Sequence, residues 1–367
     1  MLPDVVWATP QFGHGRVDAA GKALVGSMAK DSVSPSERDK LAWALDVVDN
    51  WRSSHSYPLQ VVYMALRTRV RTVEANALVA QRLKRLTSIY AKLANEPTMK
   101  LSQMQDIGGC RAVLSSIPKL RRLAQKYDSE LARHRREREK GQDRLDKSLI
   151  IEKYDYVANP KADGYRSLHF VCKYQTAKEA HRAHSGLRIE IQLRTRLQHM
   201  WATAVEVAQT FTDKALRSPS GDKEWRRFFA LMGSAFAARE KQVRVPDTPV
   251  DESDLTAELK YLSEKLQVEL VLSAYGEAAE IVTHSAGKAK RFLLELDPDK
   301  KELRVSPFSG RDIQQATATL FASERNVDDK TLRVLVSVDS IAALRRAYPN
   351  YYLDTTQFLE AVKTVIS

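Results

Sequence analysis

Cysteine is nearly absent from this 367-residue chain: only Cys110 and Cys172 occur. Two thiols cannot complete a four-ligand zinc site or a disulfide framework, so a cytoplasmic setting with both thiols buried and inert is expected. Long apolar runs are also missing. No stretch approaches the ~18 uninterrupted apolar residues of a membrane span, so no membrane association is expected. The first residues, MLPDVVWATPQFGHGR, lack the basic segment and apolar core of a secretory signal. Neither internal repeats nor low-complexity tracts interrupt the chain, which leaves a globular protein of ordinary composition, 28% charged and 43% hydrophobic.

Charge, by contrast, is abundant and unevenly placed. Residues 246–367 carry 15 Lys+Arg and 20 Asp+Glu, net −5, whereas residues 1–245 carry 43 and 26, net +17. A strongly basic half implies a polyanionic partner or substrate. An acidic half on the same chain has the complementary sign.

Length favours two domains, and the Pro- and acid-rich stretch PDTPVDESD at 246–254 is the best linker. The expected division is a first domain over 1–245, a linker at 246–254, and a smaller α+β domain over 255–367. Ser34-Pro35-Ser36-Glu37 reads as a capped helix start after an irregular N-terminus. Apolar periodicity predicts helices over Leu59–Ala80, Lys84–Ala94 and Ile117–Leu131, the last running into the charge block at His134–Lys147. Strands are predicted at Gly109–Ser115, Leu149–Tyr156, Tyr165–Tyr174 and Leu187–Arg194, followed by helices over Arg196–Phe211 and Lys223–Arg244. Beyond the linker come helix Leu255–Leu266, strands Glu269–Ser273, Ala289–Leu296 and Glu302–Pro307, and helix Gly310–Ser323. Strand Leu332–Val338 and helices Ile341–Ala347 and Thr355–Ile366 end the chain. The fold class is α+β, a mixed β-sheet flanked by helices.

Three segments carry chemistry. Gln105-Asp106-Ile107-Gly108-Gly109-Cys110-Arg111 puts a carboxylate beside glycines at a strand start, a place suited to a metal ion. Asn159–His169 (NPKADGYRSLH) is a turn offering an aromatic face, two cations, a hydroxyl and an imidazole. In Arg188-Ile189-Glu190-Ile191-Gln192-Leu193-Arg194-Thr195, strand alternation sets Arg188, Glu190, Gln192 and Arg194 on one face and the apolar residues on the other. Guanidinium forks suit phosphates and hard carboxylate oxygens suit Mg²⁺.

Together with Arg82-Leu83-Lys84, Ser88-Ile89 and Lys92-Leu93, these segments resemble, in order, the synthetase domain of the RelA/SpoT alarmone synthetase family over about residues 60–212. The resemblance implies pyrophosphate transfer from ATP to a ribose 3′-hydroxyl. It implies that Arg82 and Arg111 sandwich the adenine, that Lys84 and Ser88 hold ATP phosphates, and that Asp106 and Glu190 bind Mg²⁺. Glu190 would also assist deprotonation of the acceptor. Tyr165 would stack on the acceptor base, Lys161, Arg166 and His169 would steady acceptor or pyrophosphoryl charge, and Gln192 and Arg194 would order the site. His199 reads as a hydrogen-bonded helix histidine and Trp201 as core. No His-Asp pair of the kind that marks the family's hydrolase domain occurs ahead of the match.

The layout further resembles the fused toxin–antitoxin small synthetases of the CapRel type. That resemblance implies an acceptor at the tRNA CCA end, with Arg121, Arg122, Lys126, Arg133, Arg135, Arg136 and Arg138 as candidate phosphate contacts. It implies a C-terminal pseudo-zinc-finger domain whose Tyr348 and Tyr351 block the ATP site. It implies release by a phage protein, typically the major capsid protein, in abortive-infection defence, and a monomeric state. A synthetase of (p)ppGpp or (p)ppApp from free nucleotides is the alternative.

Overall fold

The computed structural model describes residues 7–28, 34–84, 86–140, 149–215, 219–274, 291–297, 302–308, 332–337 and 351–367. They form an α+β fold in two compact units, one built from 1–155 and 167–195, the other from 156–166 and 196–367.

The first unit opens with α1 (His14–Met28), where the sequence suggested irregular structure, then α2 (Pro35–Ser54) and α3 (Ser56–Arg71). α2 starts as expected. The Ser34 hydroxyl caps Glu37 N, the Glu37 carboxylate accepts from Ser34 N at 2.9 Å, and Pro35 occupies the first turn. Next come β1 (Leu78–Leu83), α4 (Leu86–Asn95), β2 (Gly108–Leu114), α5 (Ile117–Glu139), β3 (Leu149–Asp155), β4 (Leu168–Lys173) and β5 (Arg188–Thr195). The strands make one mixed sheet ordered β1-β2-β5-β4-β3, in which β2 and β5 are parallel and the other pairs antiparallel.

Leu78–Ala80, expected to end a helix, is strand instead. Tertiary pairing overrides helical periodicity here: Leu78, Val79 and Ala80 register with Val113, Ala112 and Arg111 as an edge strand. α5 runs eight residues past its expected end at Leu131, so the charge block begins as helix.

One face of the sheet is apolar. Cys110, Ala112, Phe170, Cys172, Ile189, Ile191 and Leu193 are buried in a core with Leu66 of α3 and Tyr127 of α5. Both thiols are buried as expected, and burial, with a smaller push from the Glu130 charge, raises Cys172 to about 12. A second core joins α1, α2 and α4 through Val17, Leu24, Val48, Trp51 and Ile89.

The second unit contains α6 (Arg196–Ala215), α7 (Pro219–Arg239), α8 (Glu252–Lys265), strands β6 (Arg291–Asp297), β7 (Glu302–Phe308) and β8 (Leu332–Ser337), and α9 (Tyr351–Ile366). The strands form an antiparallel sheet ordered β7-β6-β8. Residues 268–274, expected to include a strand, are helical. Val268, Val271 and Leu272 put their apolar side chains into the unit's core, at the i, i+3, i+4 spacing of a helix face. The expected helices Gly310–Ser323 and Ile341–Ala347, and Tyr348, lie outside the described residues.

The compact units do not divide at 246–254. α6, α7, α8 and α9 share one hydrophobic core, with Trp201, Phe228, Phe229 and Phe236 packed with Leu255, Leu259 and Phe358. The 246–254 stretch is tied back to α7 and its end. Ser234 Oγ bonds Thr248 Oγ1, Arg227 donates to Asp247 O at 2.6 Å and grips the Glu258 carboxylate, and Arg244 donates to Pro249 O.

Candidate active site

Sheet register decides which side chains meet, because partners across a ladder share a face. Arg82 registers with Gly109, Gly109 with Glu190, Arg111 with Gln192, and Gln192 with His169. Residues two apart along each strand share that face too. Arg82, Arg111, Glu190, Gln192 and His169 therefore lie together on the face opposite the apolar core. Strand alternation in the sequence set Glu190 and Gln192 on this face, and the register brings Arg82, Arg111 and His169 to it.

Glu190 is the hub. His169 Nδ1 lies 2.9 Å from its Oε1, and Gln192 Nε2 donates to its Oε2 at 2.5 Å. Arg194 in turn donates to Gln192 Oε1 at 3.0 Å. Burial pushes the Glu190 carboxyl up, but the charge and hydrogen bond of His169, the Gln192 hydrogen bond and the charge of Lys92 outweigh it and hold the group at about 2. Glu190 is thus ionised throughout the physiological range. Arg194, only 4% exposed, reaches Gln192 and acts as a support beneath the site.

Asp106 sits two residues before β2. Lys84 Nζ donates to its Oδ2 at 2.6 Å and Lys92 Nζ to its Oδ1 at 3.2 Å. Lys92, on α4, belongs with Lys84 to the block whose resemblance implies ATP binding, and the two lysines, eight residues apart, meet on one carboxylate. Ser88, on α4, is partly buried. Lys84 precedes α4 rather than starting it, and its backbone N–H extends the sheet edge by donating to Ile107 O at 2.7 Å.

The turn bearing Lys161, Tyr165 and Arg166 belongs to the second unit. Gly164 has φ +96°, and a Cβ there would stand 2.7 Å from Phe229 O and 2.9 Å from Trp201 Cζ2, so only glycine fits. Asp163 Oδ1 accepts from Tyr165 N at 2.9 Å, and Lys161 Nζ lies 4.7 Å from the Tyr156 ring centroid and 5.5 Å from that of Tyr165. Tyr165 packs edge-on to Tyr156 and Trp201, at 5.9 and 6.2 Å. Trp201 is core, as expected, and its indole N–H donates to Phe229 O at 2.8 Å.

Arg166, expected to steady acceptor or pyrophosphoryl charge, is held inside the fold by a carboxylate. It is 3% exposed and paired with Glu240 at 2.6 Å, and Gln198 also donates to that carboxylate. It anchors the turn to α6 and the end of α7. His199 is buried within α6. Tyr351 begins α9.

Glu190 is deprotonated and Asp106 offers two hard oxygens already engaged by cations, which suits one Mg²⁺ that keeps several waters. Groups of three or more His, Cys, Asp or Glu able to hold a metal do not occur among the described residues, so any metal here rests on two carboxylates. Of the seven basic residues suggested for nucleic acid, Arg121 pairs with Asp155 and Arg133 with Glu137. Arg122, Arg135 and Arg136 form no ion pair among the described residues. No described helix is long and apolar enough to cross a membrane.

Comparison with known proteins identifies residues 81–214 as a match to the family model described as the region found in RelA / SpoT proteins. That span holds every residue of the polar face. A curated relative, the GTP pyrophosphokinase YjbM of Bacillus subtilis, is 28% identical over 127 residues, 34% of this chain and 52% of the relative. The chain thus spans about half the length of that relative. Among solved structures, a GTP pyrophosphokinase family protein from Streptococcus pneumoniae shows 20% identity, covering 55% of this chain and 90% of that one, with TM-score 0.40. Small alarmone synthetase 1 of Bacillus subtilis, bound to its product pppGpp, shows 19% identity, covering 52% and 93%, with TM-score 0.38.

Proposed function

We propose that this chain transfers a pyrophosphoryl group from ATP to a ribose 3′-hydroxyl. The observation that carries this reading is the single polar sheet face of Arg82, Arg111, Glu190, Gln192 and His169 beside Asp106, inside a RelA/SpoT region. The acceptor oxygen bonds to the β-phosphorus as its proton passes to solvent water, the bond from that phosphorus to the α-phosphate oxygen breaks, and AMP leaves with that oxygen and its electron pair. Arg82 and Arg111 flank the adenine, whose face accepts guanidinium stacking. Lys84, Lys92 and Ser88 take the phosphates, the lysines giving up Asp106 as they do so. Asp106 and Glu190 hold Mg²⁺, which supplies charge neutralisation for the phosphates. Tyr165 stacks on the acceptor base and Lys161 adds charge. Glu190 at about 2 is a weak proton acceptor, so its part is to orient and to hold charge. Positioning and neutralisation of this kind account for most phosphoryl-type catalysis.

The acceptor we propose is the 3′ end of tRNA. The +17 charge of residues 1–245 and the open cations of α5 favour a polyanion. The C-terminal segment, bearing Tyr348 and Tyr351, is proposed as an inhibitory domain over 255–367 that a phage protein, such as a major capsid protein, releases by binding the open form better. Modification of the tRNA end would block aminoacylation and arrest translation during infection. A (p)ppGpp or (p)ppApp synthetase is the second reading, favoured by the GTP pyrophosphokinase relative. Incubation of purified, activated protein with γ-³²P-ATP decides: label on tRNA supports the first, and label on GDP with tRNA unlabelled supports the second. Absence of metal-dependent ATP turnover would sink both. Tyr165→Ala is expected to abolish toxicity.

A further inference from the structure

The first unit contains a cavity of about 490 Å³ lined by α1, α2, the turn before β2, and the facing ends of β4 and β5. None of the residues assigned to pyrophosphate transfer lines it. Lys100, Lys173 and Arg188 bring three cations to its wall, against one carboxylate, Asp18. None of the three cations forms an ion pair among the described residues, and Asp18 Oδ1 is already occupied, accepting from Ser102 N at 2.9 Å. Uncompensated positive charge in a concave site attracts an anion.

Two buried side chains make the cavity selective for more than charge. Trp51 is 5% exposed, yet its indole N–H has no hydrogen-bond partner. A buried donor left unpaired is costly, and a ligand acceptor would remove that cost. His55, 1% exposed, uses Nδ1 on Trp51 O at 2.7 Å. Burial lowers its pKa to about 4, against the Trp51 carbonyl and with the help of His184, so the ring is neutral and Nε2 is left as an acceptor. The wall thus offers one buried donor and one buried acceptor side by side, with Gln103 and Ser102 nearby.

We propose that this cavity is a binding site for a nucleoside monophosphate, lined by residues other than those proposed for transfer. The phosphate lies against Lys100, Lys173 and Arg188. The base edge, which carries both donors and acceptors, meets Trp51 N–H and His55 Nε2, and Asp18 Oδ2 accepts from a ribose hydroxyl. Three cations less one carboxylate leave two positive charges, which a phosphate dianion balances and a triphosphate would exceed. The volume is within the range of small-ligand pockets.

The test is calorimetric titration of AMP, GMP, CMP, UMP and inorganic phosphate into the full chain and its variants. At least one nucleotide is expected to bind the wild type and Arg82→Ala alike. Kd should weaken about ten-fold or more in Lys100→Gln/Lys173→Gln and about three-fold in Trp51→Phe. In ¹⁵N spectra the Trp51 indole N–H signal should shift on binding. Arg82→Ala alters the proposed transfer site alone, so failure there leaves this site standing. The proposal is overturned if no monophosphate binds or if inorganic phosphate binds as tightly as the nucleotides. It also fails if the lysine pair leaves Kd within two-fold, or if the indole signal stays still at saturation. Should the lysine variant prove unstable by thermal unfolding, the Trp51 signal and Trp51→Phe decide.

Discussion

Lys92 Nζ stands 3.2 Å from Asp106 Oδ1, and the same ammonium lowers the pKa of Glu190. One cation therefore serves both carboxylates, although they come from separate strands' ends. Removing it leaves two carboxylates without the cation they share. Lys92→Met is expected to cut kcat/KM for ATP by about a hundred-fold and to raise the Glu190 titration midpoint. Steady-state kinetics and carboxyl ¹³C titration measure the two effects. Unchanged kinetics would remove Lys92 from the site.

The depressed Glu190 carboxyl ties stability to acid. Its folded value, about 2, lies below its ordinary 4.5. The folded state therefore gains from its ionisation above pH 4.5 and loses that gain as pH falls toward 2. Wild type should exceed Glu190→Gln in thermal stability at pH 7, and the gap should narrow steadily below pH 4.5. A gap that widens in acid contradicts the assignment of His169 and Gln192 as its partners.

Gly164 offers a test of the part proposed for the turn that carries Tyr165. Gly164→Ala must place a Cβ 2.7 Å from Phe229 O at φ +96°. It should cost about 2 kcal/mol or more and reduce acceptor labelling further than ATP binding. Calorimetry and a nucleotide-binding assay separate the two.

The Arg166–Glu240 pair should behave as a buried ion pair. Arg166→Met alone strands the Glu240 carboxylate and is expected to destabilise by roughly 3–5 kcal/mol. Arg166→Met with Glu240→Leu should recover most of that loss in denaturant unfolding. An equal loss in the double variant would mean that packing, not charge, sets the cost.

Much of the site was readable in the chain because strand alternation is a local rule. Glu190, Gln192 and Arg194 share a face by spacing alone, and the sheet register adds Arg82, Arg111 and His169. What local rules missed depends on distant partners. Leu78–Ala80 looks helical until β2 pairs with it. Arg166 looks like a ligand-binding cation until Glu240, 74 residues later, claims it. The Pro- and acid-rich 246–254 stretch looks like a free linker until Ser234, Arg227 and Arg244 bind it.

Tyr165, Trp201, Phe229 and Phe358 form a line of rings spaced 6.2, 6.1 and 6.0 Å apart. The last belongs to α9, the final helix. Phe358→Ala should open a cavity costing about 3–5 kcal/mol and loosen the turn under Tyr165, which hydrogen exchange at Gly164 and Tyr165 would report. α9 is therefore part of the floor on which the Tyr165 turn stands, so a chain cut at the 246–254 stretch would lose that floor along with its last helix.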